Sequence, residues 1–120
     1  MKRGWNHHGG LTLVVSILVL TLADSTPALA QTAQGYRQQA TEFARSKSWD
    51  QAIAAYRQAL DLDPSDALTH YDLALALHYK GDTKQSVEEF ESAIRLKPEW
   101  GQAHYGLGAA LNDQIGRAHV

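Results

Sequence analysis

The 120-residue chain contains no cysteine, which removes disulfide frameworks, thiolate zinc sites and cysteine nucleophiles together. The same absence leaves the compartment open, since a cysteine-free chain folds under oxidising and reducing conditions alike. Charge of neither sign dominates: 11 lysines and arginines stand against 13 aspartates and glutamates, a balance that suggests neither a nucleic acid nor an anionic membrane as partner. No apolar stretch reaches the ~20 residues of a membrane-spanning helix. Also missing are G-x-S-x-G, a phosphate loop, H-E-x-x-H and the dinucleotide glycine fingerprint. No nucleophile stands at a fitting spacing from a base. The expectation is a chain of one domain that is not an enzyme and holds no cofactor and no metal.

What is present begins with a patterned N-terminus. Lys2 and Arg3 open the chain, residues 11–23 are mostly apolar, and a short segment, "DSTPALA", ends in Ala28, Leu29 and Ala30. A basic region, an apolar region and small residues before a cleavage point make the layout of a secretory signal peptide. Residues 1–30 are therefore expected to be a leader cut after Ala30. No cysteine follows to carry a lipid, so no stable membrane anchor remains after cleavage. The expected location is the periplasm or the medium, reached by bacterial export. His7 and His8 fall inside the leader and form no metal site.

Beyond residue 30 the chain repeats itself. Residues 33–66 and 67–100 align at a spacing of 34: Tyr36 meets His70, Ala40 meets Ala74, Phe43 meets Leu77, Ile53 meets Val87, Tyr56 meets Phe90, Ala59 meets Ala93 and Pro64 meets Pro98. A third copy starts at Gly101, with His104, Leu107, Gly108 and Leu111 in register. Within each copy, apolar or small residues recur at i, i+3, i+4 and i+7, one face of an α-helix. Ala40, Ala74 and Gly108 hold the mid-stripe position, where another helix must approach closely. A turn follows, "SKSW" in one copy and "KGDT" in the next, where Gly81 can take the positive φ needed after a helix. A second apolar stripe then runs to Pro64 or Pro98, which stop the helix. Each unit is a helix hairpin that needs a neighbour to cover its apolar face.

On these residues the sequence resembles the tetratricopeptide repeats. The period, the aromatic at Tyr56 and Phe90, the small residues at Ala40, Ala52 and Ala59, and the prolines all agree with that pattern; "WDQAIAAYRQALDLDP" is the closest stretch. Gln39, Lys47 and Ser86 depart from it, standing where leucine, glycine and alanine are usual. The resemblance implies an all-α fold of antiparallel helix hairpins stacked as a right-handed solenoid, about two and a half repeats over residues 31–114 (33–66, 67–100 and a partial 101–114).

It also implies a site. Stacked hairpins twist so that their first helices line a concave binding face, which here places Arg37, Thr41, Tyr71, Leu75, His78, Tyr79 and Tyr105 in a peptide-binding groove, with Ala44 and Arg45 at further groove positions. Tyr71 and Tyr105 share an offset and are expected one above the other. Packing of these two rings against the adjacent hairpin is the competing reading. Some members of the family hold C-terminal carboxylates in a clamp of lysine and asparagine. The equivalent positions are Arg37, Thr41, Asp72, Gln102 and Gly106, of which Arg37 alone is cationic, so that activity is not carried over.

Other candidates have plainer explanations. His70 and His104 recur with the period and are expected to pack between the helices of a unit. "DLDPSD" lacks the glycine and the bidentate glutamate of a calcium loop, and Asp66 reads as the cap of a helix starting near Ala67. Glu88, Glu89 and Glu91 read as a solvated face around a core Phe90. The final stretch, residues 115–120, fits no repeat. It can be written ATC GGA AGA GCA CAC GTC, which resembles a short-read sequencing adapter, so these residues are expected to be read-through at the end of a fragment. The functional expectation is a scaffold that binds a peptide or partner protein in its groove. The alternatives are the recognition module of a longer envelope enzyme, acting on peptides or glycans, and a chain that self-associates through exposed helix faces.

Overall fold

The computed structural model describes residues 31–118, which form five helices. The leader expected over residues 1–30 and the last two residues of the 115–120 stretch lie outside the described residues. The helices are α1 (Ala33–Arg45), α2 (Trp49–Leu62), α3 (Ala67–Lys80), α4 (Thr83–Leu96) and α5 (Gly101–Ala118). The first four make two hairpins of the kind the repeat implies, and α5 packs on the second.

Local chemistry sets the ends. Thr32 caps α1 by accepting from the Gly35 amide at 2.9 Å, and Asp66 caps α3 by accepting from the Leu68 amide at 3.1 Å. Such caps satisfy amides that the helix leaves without partners. The two hairpin turns are closed alike: the Ser48 amide donates to the Phe43 carbonyl and the Asp82 amide to the Leu77 carbonyl, both at 2.9 Å. This closure forces one residue into the left-handed region. In the second hairpin that residue is Gly81, with φ 98°, and in the first it is Lys47, with φ 58°. A side chain in that conformation costs about 1–2 kcal/mol, so the departure at Lys47 leaves strain in the first turn.

The helices approach through alanines. Ala40, Ala52, Ala55, Ala59, Ala74, Ala76, Ala93, Ala103 and Ala110 are all buried. Around them lie two clusters. Ile53, Tyr56, Leu73, Ala76 and Leu77 join α2 to α3, with Phe43, Trp49 and Leu60 packed alongside. Ala74, Phe90 and Ala110 join α3, α4 and α5, with Tyr71, Leu75, Val87 and Leu107 around them. Full burial of a side chain such as Leu73 or Phe90 is worth about 1.5–3 kcal/mol. Ser86 is completely buried, and its hydroxyl donates to the Ala74 carbonyl at 2.9 Å. That bond explains why a serine is tolerated where alanine is usual.

Two details differ from the sequence reading. The histidines do more than pack. His70 Nε2 lies 2.9 Å from the Pro64 carbonyl oxygen, and His104 Nε2 lies 2.7 Å from that of Pro98, so each ties its helix to the turn before it. His70 Nδ1 also meets Glu89 Oε2 at 2.7 Å, which ties α3 to α4. The close approach expected at Gly108 occurs two residues earlier. A Cβ at Gly108 would meet nothing within 4 Å, whereas one at Gly106 would fall 2.5 Å from the Phe90 ring. Gly108 is exposed on α5. Helix α5 itself is continuous through Ala118, where Arg117 donates to the Gly81 carbonyl at 2.6 Å.

These contacts separate three substitutions by thermal or urea unfolding. Lys47→Gly relieves the turn and is expected to stabilise by about 0.5–1 kcal/mol, less than the strain itself because glycine also loosens the unfolded chain. Gly108→Ala is expected to stabilise by roughly 1 kcal/mol through helix propensity alone. Gly106→Ala gains the same propensity but is expected to destabilise by about 1–2 kcal/mol net, because the buried Phe90 ring must move. Equal effects at the two glycines would rule out the Phe90 contact as the cause.

Candidate functional site

Between α1 and α3 the structure encloses a recess of about 280 Å³, lined by Thr41, Ala44, Arg45, Trp49, Tyr56, Asp72, Leu75, Ala76 and Tyr79. Of the groove residues expected from sequence, Thr41, Leu75 and Tyr79 meet here, together with Ala44 and Arg45. Their convergence follows from helical geometry. Thr41 and Arg45 are four apart on α1, and Asp72, Leu75 and Tyr79 follow the i, i+3, i+7 stripe on α3.

The other expected residues are placed elsewhere. Arg37 is held in an ion pair with Asp66 at 3.1 Å. The Thr69 hydroxyl also donates to Asp66, at 2.6 Å. Burial alone would raise the Asp66 carboxyl, but the Thr69 bond and Arg37 outweigh it and hold the group below its ordinary value. Tyr71 packs with Phe90, edge to face at 5.7 Å between centroids, and with Trp100 at 4.7 Å. It is therefore engaged with the following helices, and burial pushes its phenol up. Tyr105 is 82% exposed on α5. His78 has its Nδ1 buried without a hydrogen-bond partner among the described residues.

Four residues of the recess were not singled out from sequence as groove residues: Ala76, a buried alanine of α3, and Trp49, Tyr56 and Asp72. Trp49 reads as part of a turn, yet it opens α2, and its ring stacks on Tyr79 at 5.1 Å and 19°. Tyr56 is the repeat's core aromatic and is nearly fully buried. Its hydroxyl nevertheless reaches within 3.4 Å of Thr41 Oγ1. The extra oxygen of tyrosine over the phenylalanine found at Phe90 was the available signal. Asp72 had appeared only as a position where the carboxylate clamp fails.

Asp72 dominates the electrostatics. It lies beside the ion-paired Arg37 and Asp66, but its carboxylate makes no hydrogen bond or ion pair among the described residues. Burial pushes its carboxyl from 3.8 up to about 6; Arg37 pulls against that rise and Asp66 adds to it. A partly buried charge without a partner is held against its own desolvation cost, and such groups concentrate at functional sites. The other polar groups of the recess wall, the Thr41 and Tyr56 hydroxyls, can both accept. Thr41 already donates its proton to the Arg37 carbonyl at 2.9 Å. Arg45 stands exposed at the rim, paired with Glu42 at 2.9 Å. Among the described residues, no cluster of three or more histidines and carboxylates is arranged to hold a metal ion.

A raised carboxyl in the folded state means that folding takes up a proton between the two values. The contribution of Asp72 to stability is then greatest below 3.8 and is lost as the pH rises through about 6. Asp72→Asn is expected to be more stable than the parent by about 1–2 kcal/mol at pH 7.5, after allowance for solvent screening, with the gap closing below pH 4. Urea unfolding followed by circular dichroism at the two pH values measures it, and a pH-independent gap would contradict the assignment.

Comparison with known proteins gives a consistent answer. The family described as TPR repeat matches residues 41–81, and the one described as Tetratricopeptide repeat matches residues 71–118. A tetratricopeptide repeat and J domain-containing co-chaperone of Cryptococcus neoformans is 33% identical over 98 residues, 78% of this chain and 19% of that protein. The chain thus spans about a fifth of the length of that relative. Among solved structures, the MamA protein superposes with a TM-score of 0.69 at 23% identity, covering 75% of this chain and 49% of MamA. The second TPR domain of human RPAP3, determined in complex with the HSP70 peptide SGPTIEEVD, gives a TM-score of 0.65 at 21% identity and covers 68% of each chain. At these identities the two structures share the fold. With the 34-residue period, the paired hairpins and two overlapping matches that together run from residue 41 to 118, the chain belongs to the tetratricopeptide-repeat family.

Proposed function

We propose that the chain is a protein-interaction scaffold that holds an extended peptide segment of a partner protein along the face formed by α1 and α3. The observation that carries this reading is the recess beside Tyr79, a tyrosine left 65% exposed although it stacks on Trp49. Large rings with a polar tip give contact area at small entropic cost and are enriched where proteins meet. The recess is open on one side, walled by α1, α2 and α3, and too small for most whole ligands, for which pockets run to ~300–1,000 Å³. It suits one or two side chains of a longer segment. The peptide-bound RPAP3 domain supports the reading at the level of the fold. The proposed setting is the periplasm or the medium, on the strength of the leader layout in residues 1–30. The proposal assigns the chain binding and not catalysis.

A random nonapeptide library selected on the full chain tests the reading. Enriched peptides are expected to lose at least about ten-fold in affinity for Tyr79→Ala, the size of a moderate interface contact, while helical circular dichroism stays unchanged. Tyr79 suits the purpose because it is exposed and belongs to neither core cluster, whereas Tyr71 is packed into the second. Peptides that bind the variant and the parent equally would place the interaction elsewhere.

A further inference from the structure

We propose that the recess between α1 and α3 is a cation-selective subsite that takes a lysine or arginine side chain of the bound peptide, with Asp72 as its counter-charge and the Trp49–Tyr79 pair as its aromatic wall. The inference rests on the groove reading above and adds the chemistry of what is bound.

The charges around the recess leave one carboxylate over. Arg37 pairs with Asp66 at 3.1 Å, Arg45 with Glu42 at 2.9 Å, and Lys80, at the far end of α3, with Asp50. Every one of these cations is matched by its own carboxylate, and Asp72 is matched by none among the described residues. The inner wall of the recess thus carries the Asp72 carboxylate, while Arg45, the other charged residue of the lining, stands at the rim with Glu42. A ligand cation reaching Asp72 would neutralise a charge already removed from part of its water, so the usual desolvation cost of forming a partly buried ion pair falls mainly on one partner. The raised carboxyl of Asp72 agrees with this environment.

The remaining walls fit the same ligand. Thr41 Oγ1 has given its proton to the Arg37 carbonyl, so it offers lone pairs, and Tyr56 Oη lies 3.4 Å from it. Together with Asp72 they make an acceptor-rich floor for the N–H groups of an ammonium or guanidinium. Ala44, Leu75 and Ala76 supply an apolar lining for the methylene stem, which long basic side chains bury readily. The stacked rings of Trp49 and Tyr79 stand at the side, and aromatic faces attract cations within about 6 Å. A carboxylate ligand would meet the opposite conditions: Asp72 repels it, and Arg45, the cation of the recess lining, stands at the rim with Glu42 beside it. The bound HSP70 peptide of RPAP3, with its two glutamates and final aspartate, is thus the wrong charge for this recess.

The library peptides selected on the full chain decide the matter. Their sequences are expected to be enriched in lysine and arginine. Replacing that residue by glutamine is expected to weaken binding to the parent at least ten-fold by fluorescence anisotropy, and to have little effect on binding to Asp72→Asn. Asp72→Asn keeps the side-chain shape and is expected to fold at least as stably as the parent, so loss of the preference cannot be assigned to unfolding. Selection of acidic or neutral peptides, or a lysine preference that survives in Asp72→Asn, overturns the cation proposal. If such peptides still depend on Tyr79, the groove reading stands without it. A library that yields no peptide dependent on Tyr79 removes both.

Discussion

Helix α3 is packed on both sides, and the rest of the molecule depends on that double contact. Leu73, Ala76 and Leu77 belong to the cluster shared with the first hairpin, while Ala74, with Tyr71 and Leu75 beside it, belongs to the cluster shared with α4 and α5. A 14-residue helix has little stability of its own in water, and a helix hairpin covers only part of its apolar surface. Stability in such stacks is a sum of unit and neighbour terms, and α3 is where the two neighbour terms meet. It also carries Asp72, Leu75 and Tyr79 to the recess. The same helix that joins the hairpins therefore positions the site, and precise placement of the groove follows from core packing.

The turns repeat this logic with hydrogen bonds. The histidine-to-proline-carbonyl contact occurs twice, at His70 and His104, with the same sequence separation. Each bond fixes where the next helix sits relative to the turn that precedes it. Arg37, Asp66 and Thr69 add a third tie between α1 and the start of α3. These polar contacts lie at the edges of the stack and supply orientation, while the buried alanines allow the close spacing. A larger side chain at any of the alanine positions would have to separate two helices, and the recess would change shape with them.

The site shows how a general repeat acquires individual chemistry. Ala44, Leu75 and Ala76 give the recess wall its plain apolar part. What distinguishes it are three polar additions, Thr41, Tyr56 and Asp72, and one ring pair, Trp49 and Tyr79. Asp72 works against stability at neutral pH, since burial disfavours its charged form. A residue that weakens the fold while lining its groove is the pattern expected where binding and stability make opposed demands.

Sequence by itself determined the helices, their hairpins and their ends. These depend on local rules: apolar spacing of 3.6, glycine in a left-handed turn, an aspartate cap, a proline stop, and a period of 34 that repeats them. It also determined that Thr41, Leu75 and Tyr79 share a helix face with their neighbours. Only the tertiary structure decided which of those residues meet and what they meet. Trp49 and Tyr56 enter the recess from α2, far along the chain from Tyr79 and Asp72. Tyr71 turns toward Trp100 because α5 arrives there, Gly106 and not Gly108 bears the close contact with Phe90, and Arg37 is consumed by Asp66. Periodicity describes one helix at a time. Which charge finds a partner, and which is left without one, is settled by distances between helices, and those appear only when the hairpins are stacked.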